Sequence, residues 1–135
     1  MGNAGSRRRV LIIEDEPSIR NVLYVLLASI GCDAETATNG AQALAMVQRE
    51  QFDALLLDLR CSDLEPEMVL SNVHRIRPSL IGRVLVVAAE VADEKALELF
   101  ARNFRVHVRR DQLDEVKGVM RAMLTLAPSP EPPSQ

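Results

Sequence analysis

Three features of the 135-residue chain predict an α/β fold, a five-stranded parallel sheet with helices on both faces. The first is a set of unbroken apolar runs: Val10 to Ile13, Leu55 to Leu57, and Val84 to Val87. A half-exposed strand alternates apolar with polar side chains, so runs without alternation mark strands buried on both faces. The second is the stretches between them, where apolar residues recur every three or four positions, as in an amphipathic helix. The third is a pair of more polar strand-like stretches, Cys32 to Ala37 and Phe104 to Val108, suited to sheet edges.

In chain order, Met1 to Arg7 is small, polar and basic and is expected to be disordered, with Arg7, Arg8 and Arg9 a solvated flank of the first strand. Pro17 fits the first turn of a helix, where a missing N–H costs nothing. Ile19, Val22, Leu23, Leu26, Leu27 and Ile30 form its apolar stripe, and Gly31 suits its carboxyl cap. Asn39 is a good amino cap for a second helix whose inner face carries Ala43, Leu44 and Val47. A third helix, starting near Pro66 and ending before Pro78, carries Leu64, Met68, Val69, Val73 and Ile76; Gly82 then breaks the chain. Ala96, Leu97 and Phe100 predict a short fourth helix, and Leu113, Val116, Val119, Met120, Met123 and Leu124 a final one. Four of the seven prolines fall in residues 127–135, a tail or linker. Right-handed crossovers and polar strands at the edges give the strand order 2-1-3-4-5, the flavodoxin-like doubly wound arrangement.

A chain of this size supports one domain with its own core. The net charge of −3 gives no push toward nucleic acid or an anionic membrane, and 3% aromatics leave few platforms for stacking bases. No apolar run approaches membrane-spanning length. Cys32 and Cys61 form no CxxC pair, which points to a reduced, cytoplasmic setting. His74 and His107 have no Ser or Cys partner at a catalytic spacing and are expected at the surface.

Two of the buried runs end on acids. Leu57 is followed by Asp58, and Ile13 by Glu14, Asp15 and Glu16. Ligands in open parallel sheets sit at the carboxyl ends of strands, at the switch point, and the order 2-1-3-4-5 makes strands one and three neighbours there. Carboxylates that close repel, and a divalent cation with oxygen ligands is the usual reason to gather them. An acid-rich helix start that suits the dipole explains Glu14 to Glu16 equally simply, but not Asp58.

The segment Val10 to Arg20 (VLIIEDEPSIR), Asp58 after its apolar strand, Val84 to Glu90 (VLVVAAE) and Gln112 to Val116 (QLDEV) together resemble bacterial response-regulator receiver domains. The likeness spans roughly residues 8–126. It implies that Asp58 accepts a phosphoryl group from a histidine kinase or phosphotransfer protein. It also implies that Glu14, Asp15, Asp58 and the backbone carbonyl of Arg60 hold Mg²⁺. A downstream partner would dock on the face of the fourth helix, fifth strand and final helix, here carrying Arg102, Arg105, Arg109 and Arg110. No direct contact with nucleic acid or membrane is implied.

Several positions depart from the family pattern. Ala88 stands where a Thr or Ser is usual, Val106 where an aromatic switch residue is usual, and Arg109 with Arg110 where Lys-Pro is usual. The loop after Asp58 lacks the usual Met-Pro and Gly. Arg60 is either a solvated loop residue or a guanidinium that pairs with Glu14 or Asp15 in place of the cation. Two functions stand: a phosphorylatable receiver with atypical switch residues, and a pseudo-receiver that docks partners without phosphorylation. An enzyme is disfavoured, since the Asp-x-Asp of aspartyl-phosphate phosphatases is absent at Asp58 and no P-loop or Gly-x-Ser-x-Gly occurs.

Overall fold

The computed structural model describes residues 7–58, 66–88, 106–109 and 112–125. The strands are β1 (Arg9–Ile13), β2 (Asp33–Ala37), β3 (Ala54–Asp58), β4 (Val84–Ala88) and β5 (Val106–Arg109). They form one parallel sheet in the order β2-β1-β3-β4-β5, as predicted. Helices α1 (Pro17–Ser29), α2 (Gly40–Arg49), α3 (Pro66–Ile76) and a C-terminal helix (Glu115–Thr125) cover it. The segment expected to hold a fourth helix, Ala96 to Phe100, lies outside the described residues, as do the two ends of the chain.

Every residue of β3 is buried, as are Val10 to Ile13 of β1. Alternation along these strands divides the core in two. Leu11, Ile13, Leu55, Leu57, Val84 and Val86 pack with α2 and α3 residues such as Val47, Val69, Leu70 and Val73. Val10, Ile12, Leu56, Leu85 and Val87 pack with Leu23 and Leu27 of α1 and with Val116, Met120 and Met123 of the C-terminal helix. Each fully buried aliphatic side chain contributes about 1.5–3 kcal/mol, so helices are needed on both faces. No helix among the described residues is long and apolar enough to cross a membrane.

The helix ends follow the local sequence. Pro17 opens α1, and Gly31 just beyond it takes φ +82°, a left-handed conformation that costs side-chain-bearing residues about 1–2 kcal/mol. Gly82 does the same ahead of β4 at φ +80°. Asn39 caps α2, its Oδ1 accepting from the Gln42 amide at 2.8 Å.

Four expectations need correction. Val22 and Met68, counted in apolar stripes, are 44% and 54% exposed. In α3 the buried position beside Val69 is Leu70, because helix packing selects the face and a run of apolar residues overshoots it. His74 is half-buried in α3, and burial pushes its imidazole below the usual value. β5 runs from Val106 to Arg109, one residue beyond the expected end, and Phe104 and Arg105 lie outside the described residues.

The last correction concerns Arg9, which is a tie rather than a solvated flank. Its guanidinium donates to Glu50 at 2.7 Å, to Glu35, and to the Gln51 carbonyl at 3.1 Å. It also lies 4.7 Å from the centre of the Phe52 ring. Its own amide donates to Asp53 at 2.8 Å. One side chain thus joins β1 to β2 and to the turn between α2 and β3, at the end of the sheet opposite the acids. The hydrogen bond to Glu50 and the neighbouring Glu35 hold the guanidinium further toward its charged form, against the effect of burial.

Arg9→Met, which keeps the aliphatic stem, should lower stability by about 1–2 kcal/mol in urea unfolding, because charge-assisted bonds are lost from a partly exposed site. The loss should shrink in about 1 M salt, where the Debye length falls to about 3 Å. For His74, the unfolded chain binds a proton at the ordinary value near 6.5 while the folded chain resists it. Stability is therefore complete above that pH and is lost as pH falls through it. Thermal midpoints measured across that range should drop more steeply in the wild type than in His74→Gln.

Candidate functional site at the carboxyl end of the sheet

The register of the two central strands builds the site. Ile13 pairs with Leu57 across β1 and β3, so Glu14 and Asp58 are the next residues out on neighbouring strands about 4.8 Å apart. Asp58 itself pairs with Val87 on its other side. Asp58 and Glu14 are both fully buried, two carboxylates in a wall otherwise made of aliphatic side chains. They close the strands where the apolar runs end, because beyond the core only groups with a polar purpose are left to place.

The turn from β1 into α1 is anchored along its length. The Glu14 amide donates to the Ala37 carbonyl at 3.0 Å, continuing the β1–β2 ladder by one residue. The Glu16 amide donates to Oε2 of Glu14 at 3.2 Å, so this carboxylate lies against the start of α1. A buried carboxylate there benefits from the helix's positive end. The helix-start reading of Glu14 thus describes its observed place. Asp15 differs from its neighbour, since it is exposed. Glu16 is half-buried and accepts from the Ser18 hydroxyl at 3.2 Å.

The remaining expected positions fall around this pair. Ala88 ends β4, one residue beyond the partner of Asp58, and pairs with Arg109 at the end of β5. Val106 pairs with Leu85 at the other end of β5. Arg60 and Cys61 lie outside the described residues. Cys32 is buried beneath α1, where desolvation pushes its thiol up and makes it a core residue.

Among the described residues, no three His, Cys, Asp or Glu side chains gather closely enough to hold an ion by themselves. The donors present nevertheless suit a small hard cation: two buried carboxylates, with the exposed Asp15 carboxylate next to one of them in the chain. Mg²⁺ is usually held by one or two carboxylates and keeps several waters, whereas zinc or calcium cages need a fuller protein shell.

Arg20 is a contributor that sequence reasoning passed over. It sits one turn into α1, and its Nη1 donates to the Glu14 carbonyl at 3.1 Å. Only its place in the motif could have flagged it, because an arginine four residues past an acidic run usually reads as a solvated helix residue.

The fold is thus a doubly wound parallel domain with a buried aspartate ending its central strand and an acidic turn beside it. The chain belongs to the response regulator receiver domain family, whose model matches residues 10–112. It is thus a receiver domain of the two-component type. A response regulator receiver protein of Anaeromyxobacter sp. is 35% identical over 95 residues, covering 70% of this chain and 39% of that protein. The transcriptional regulatory protein TcrA of Mycobacterium tuberculosis is 28% identical over 127 residues, covering 93% of this chain and 49% of that protein. The chain spans between about a fifth and a half of the length of such curated relatives. Among solved structures, the response regulator TrrA of Thermotoga maritima, in complex with Mg²⁺ and BeF, is similar with a TM-score of 0.74 at 23% identity, covering 86% of this chain and 98% of that one. A receiver domain from a Pseudomonas aeruginosa sensor histidine kinase, with magnesium in its active-site cleft, has a TM-score of 0.76 at 16% identity, covering 88% and 98%. At these identities the likeness is one of fold.

If Asp58 and Glu14 share a cation, adding Mg²⁺ should raise the wild-type thermal midpoint. At about ten times the dissociation constant the gain is roughly 1.4 kcal/mol. Asp58→Asn should lose most of that response, because one of the two buried carboxylates has been removed. Differential scanning calorimetry with and without Mg²⁺ checks both.

Proposed function

We propose that this receiver accepts a phosphoryl group on Asp58 from a histidine kinase or phosphotransfer protein, within a receiver unit spanning about residues 8–126. The observation that carries the reading is the complete burial of Asp58 in register beside Glu14 at the carboxyl end of the central strand. A carboxylate withdrawn from water there gains nothing for the core, so chemistry is the better reason for it.

In the reaction, a carboxylate oxygen of Asp58 attacks phosphorus as the P–N bond of phosphohistidine breaks. The electron pair leaves on the imidazole nitrogen. Attack requires an anion to approach a group already negative, and a Mg²⁺ bound at this rim would supply the compensating charge. Glu14 and Asp15, with Asp58 and the carbonyl of Arg60, are its proposed ligands. Burial of Asp58 keeps its oxygens oriented and limits the water that would hydrolyse the product.

The response to phosphorylation is proposed to be atypical. Ala88 closes β4 next to the acceptor's partner residue and has no hydroxyl to follow a phosphoryl oxygen. Val106, at the start of β5, cannot supply an aromatic rotamer switch. Output would therefore run through other groups, Arg109 at the end of β5 among them, toward a downstream protein on the β5 side of the sheet. Relatives named as transcriptional regulators extend well beyond the matched region. An effect on DNA would come from such an added segment or a partner, since this acidic domain has little attraction for a polyanion. The absence of a hydroxyl at Ala88 also favours a second reading, a pseudo-receiver that docks partners regardless of phosphorylation.

Intact-mass spectrometry after incubation with acetyl phosphate and Mg²⁺ separates the two. The expected result is a gain of one phosphoryl group in the wild type and none in Asp58→Ala. No gain, together with failure to bind beryllofluoride, would leave the docking module as the function.

A further inference from the structure

We infer that Arg20 is a positioning residue for the acidic turn, holding the peptide that joins Glu14 to Asp15 in one orientation and so fixing the backbone course of the turn that carries both acids. This inference rests on the receiver reading of that turn.

Four successive peptide groups connect β1 to α1, and each is held. The peptide before Glu14 is fixed through its amide on Ala37, at 3.0 Å. The peptide between Glu14 and Asp15 is held at its carbonyl oxygen by Nη1 of Arg20, at 3.1 Å. The peptide between Asp15 and Glu16 is held at its amide by Oε2 of Glu14, at 3.2 Å. The peptide after Glu16 is held at its carbonyl by the main-chain amide of Arg20, at 2.9 Å. Arg20 thus supplies two anchors, one from its backbone and one from its side chain.

The side-chain anchor matters because of peptide geometry. A peptide group is a rigid plane, and it can flip by opposite rotations of ψ at Glu14 and φ at Asp15 while both flanking anchors stay in place. That flip turns the Glu14 carbonyl and the Asp15 amide to the opposite side of the turn while the flanking Cα atoms stay in place. A guanidinium bound to the carbonyl opposes it. Helix geometry explains why residue 20 does this: it is one turn above Glu16, and a half-buried side chain from that position reaches back along α1 toward its start. A charged donor to a carbonyl is also among the stronger hydrogen bonds available there.

Arg20→Met keeps the stem and removes the donor, while Arg20→Lys keeps a cation able to reach the same oxygen. In NMR of the cation-free protein, the Asp15 and Glu16 amide signals should shift and broaden in Arg20→Met and remain near their wild-type positions in Arg20→Lys. Isothermal titration with Mg²⁺ should show affinity weakened about threefold to tenfold in Arg20→Met, the size expected for one hydrogen bond, and largely restored in Arg20→Lys. Identical Asp15 and Glu16 spectra in the wild type and Arg20→Met would overturn the assignment, whatever the titration shows. Equal losses in Met and Lys variants would also overturn it, by tracing the effect to guanidinium packing. A wild type that neither binds Mg²⁺ nor gains a phosphoryl group would instead overturn the receiver-site reading beneath it.

Discussion

All five residues of β3, Ala54 through Asp58, are withdrawn from water, and so are the four residues of β1 that pair with it. A strand buried on both faces must have a helical layer above and below, and each connection back to the same edge of the sheet must cross over with the same hand. The two halves of the core, one under α2 and α3 and the other under α1 and the C-terminal helix, are that requirement met. Most of the fold follows from where these two strands had to lie. The site follows as well, because neighbouring parallel strands in register deliver their next residues to the same place.

That place carries a cost which the rest of the turn manages. Burying Glu14 and Asp58 together sets two carboxyl groups against an aliphatic wall. The start of α1 lies against one of them through the Glu16 amide. The arginine of the helix's first turns braces the peptide beside it. At the opposite end of the sheet charge does different work: Arg9 gathers Glu35, Glu50 and the Phe52 ring and joins three chain segments. One end of the sheet is stapled by complementary charges, and the other gathers buried carboxyl groups.

Among the described residues, the departures from the family pattern lie along β4 and β5, with Ala88 one residue beyond the strand partner of Asp58. Alanine at the end of β4 and valine at the start of β5 preserve strand pairing while removing the hydroxyl and the ring. Backbone register is indifferent to these substitutions, since the ladder uses only N–H and C=O groups. The fold can therefore keep Asp58 in register beside β1 whichever residues end β4 and begin β5.

Much was legible in the residues alone. Unbroken apolar runs identified β1, β3 and β4, polar content placed β2 and β5 at the edges, and caps such as Asn39 and Gly31 marked helix ends, because each signal is local. The pairing of Glu14 with Asp58 was legible too, once strand order made β1 and β3 neighbours. Residues whose role depends on reach across the fold were not. Arg9 read as a flank and Arg20 was passed over, since nothing in sequence says which distant carboxylate or carbonyl a long flexible side chain will meet. Val22 and Met68 read as core and are exposed, while His74 read as surface and is half-buried. Sequence determined the strands, their order and the acids at their ends through periodicity and strand polarity. Only the tertiary structure decided which helix faces touch the sheet and which arginines act as ties, because those depend on distances that no local pattern contains.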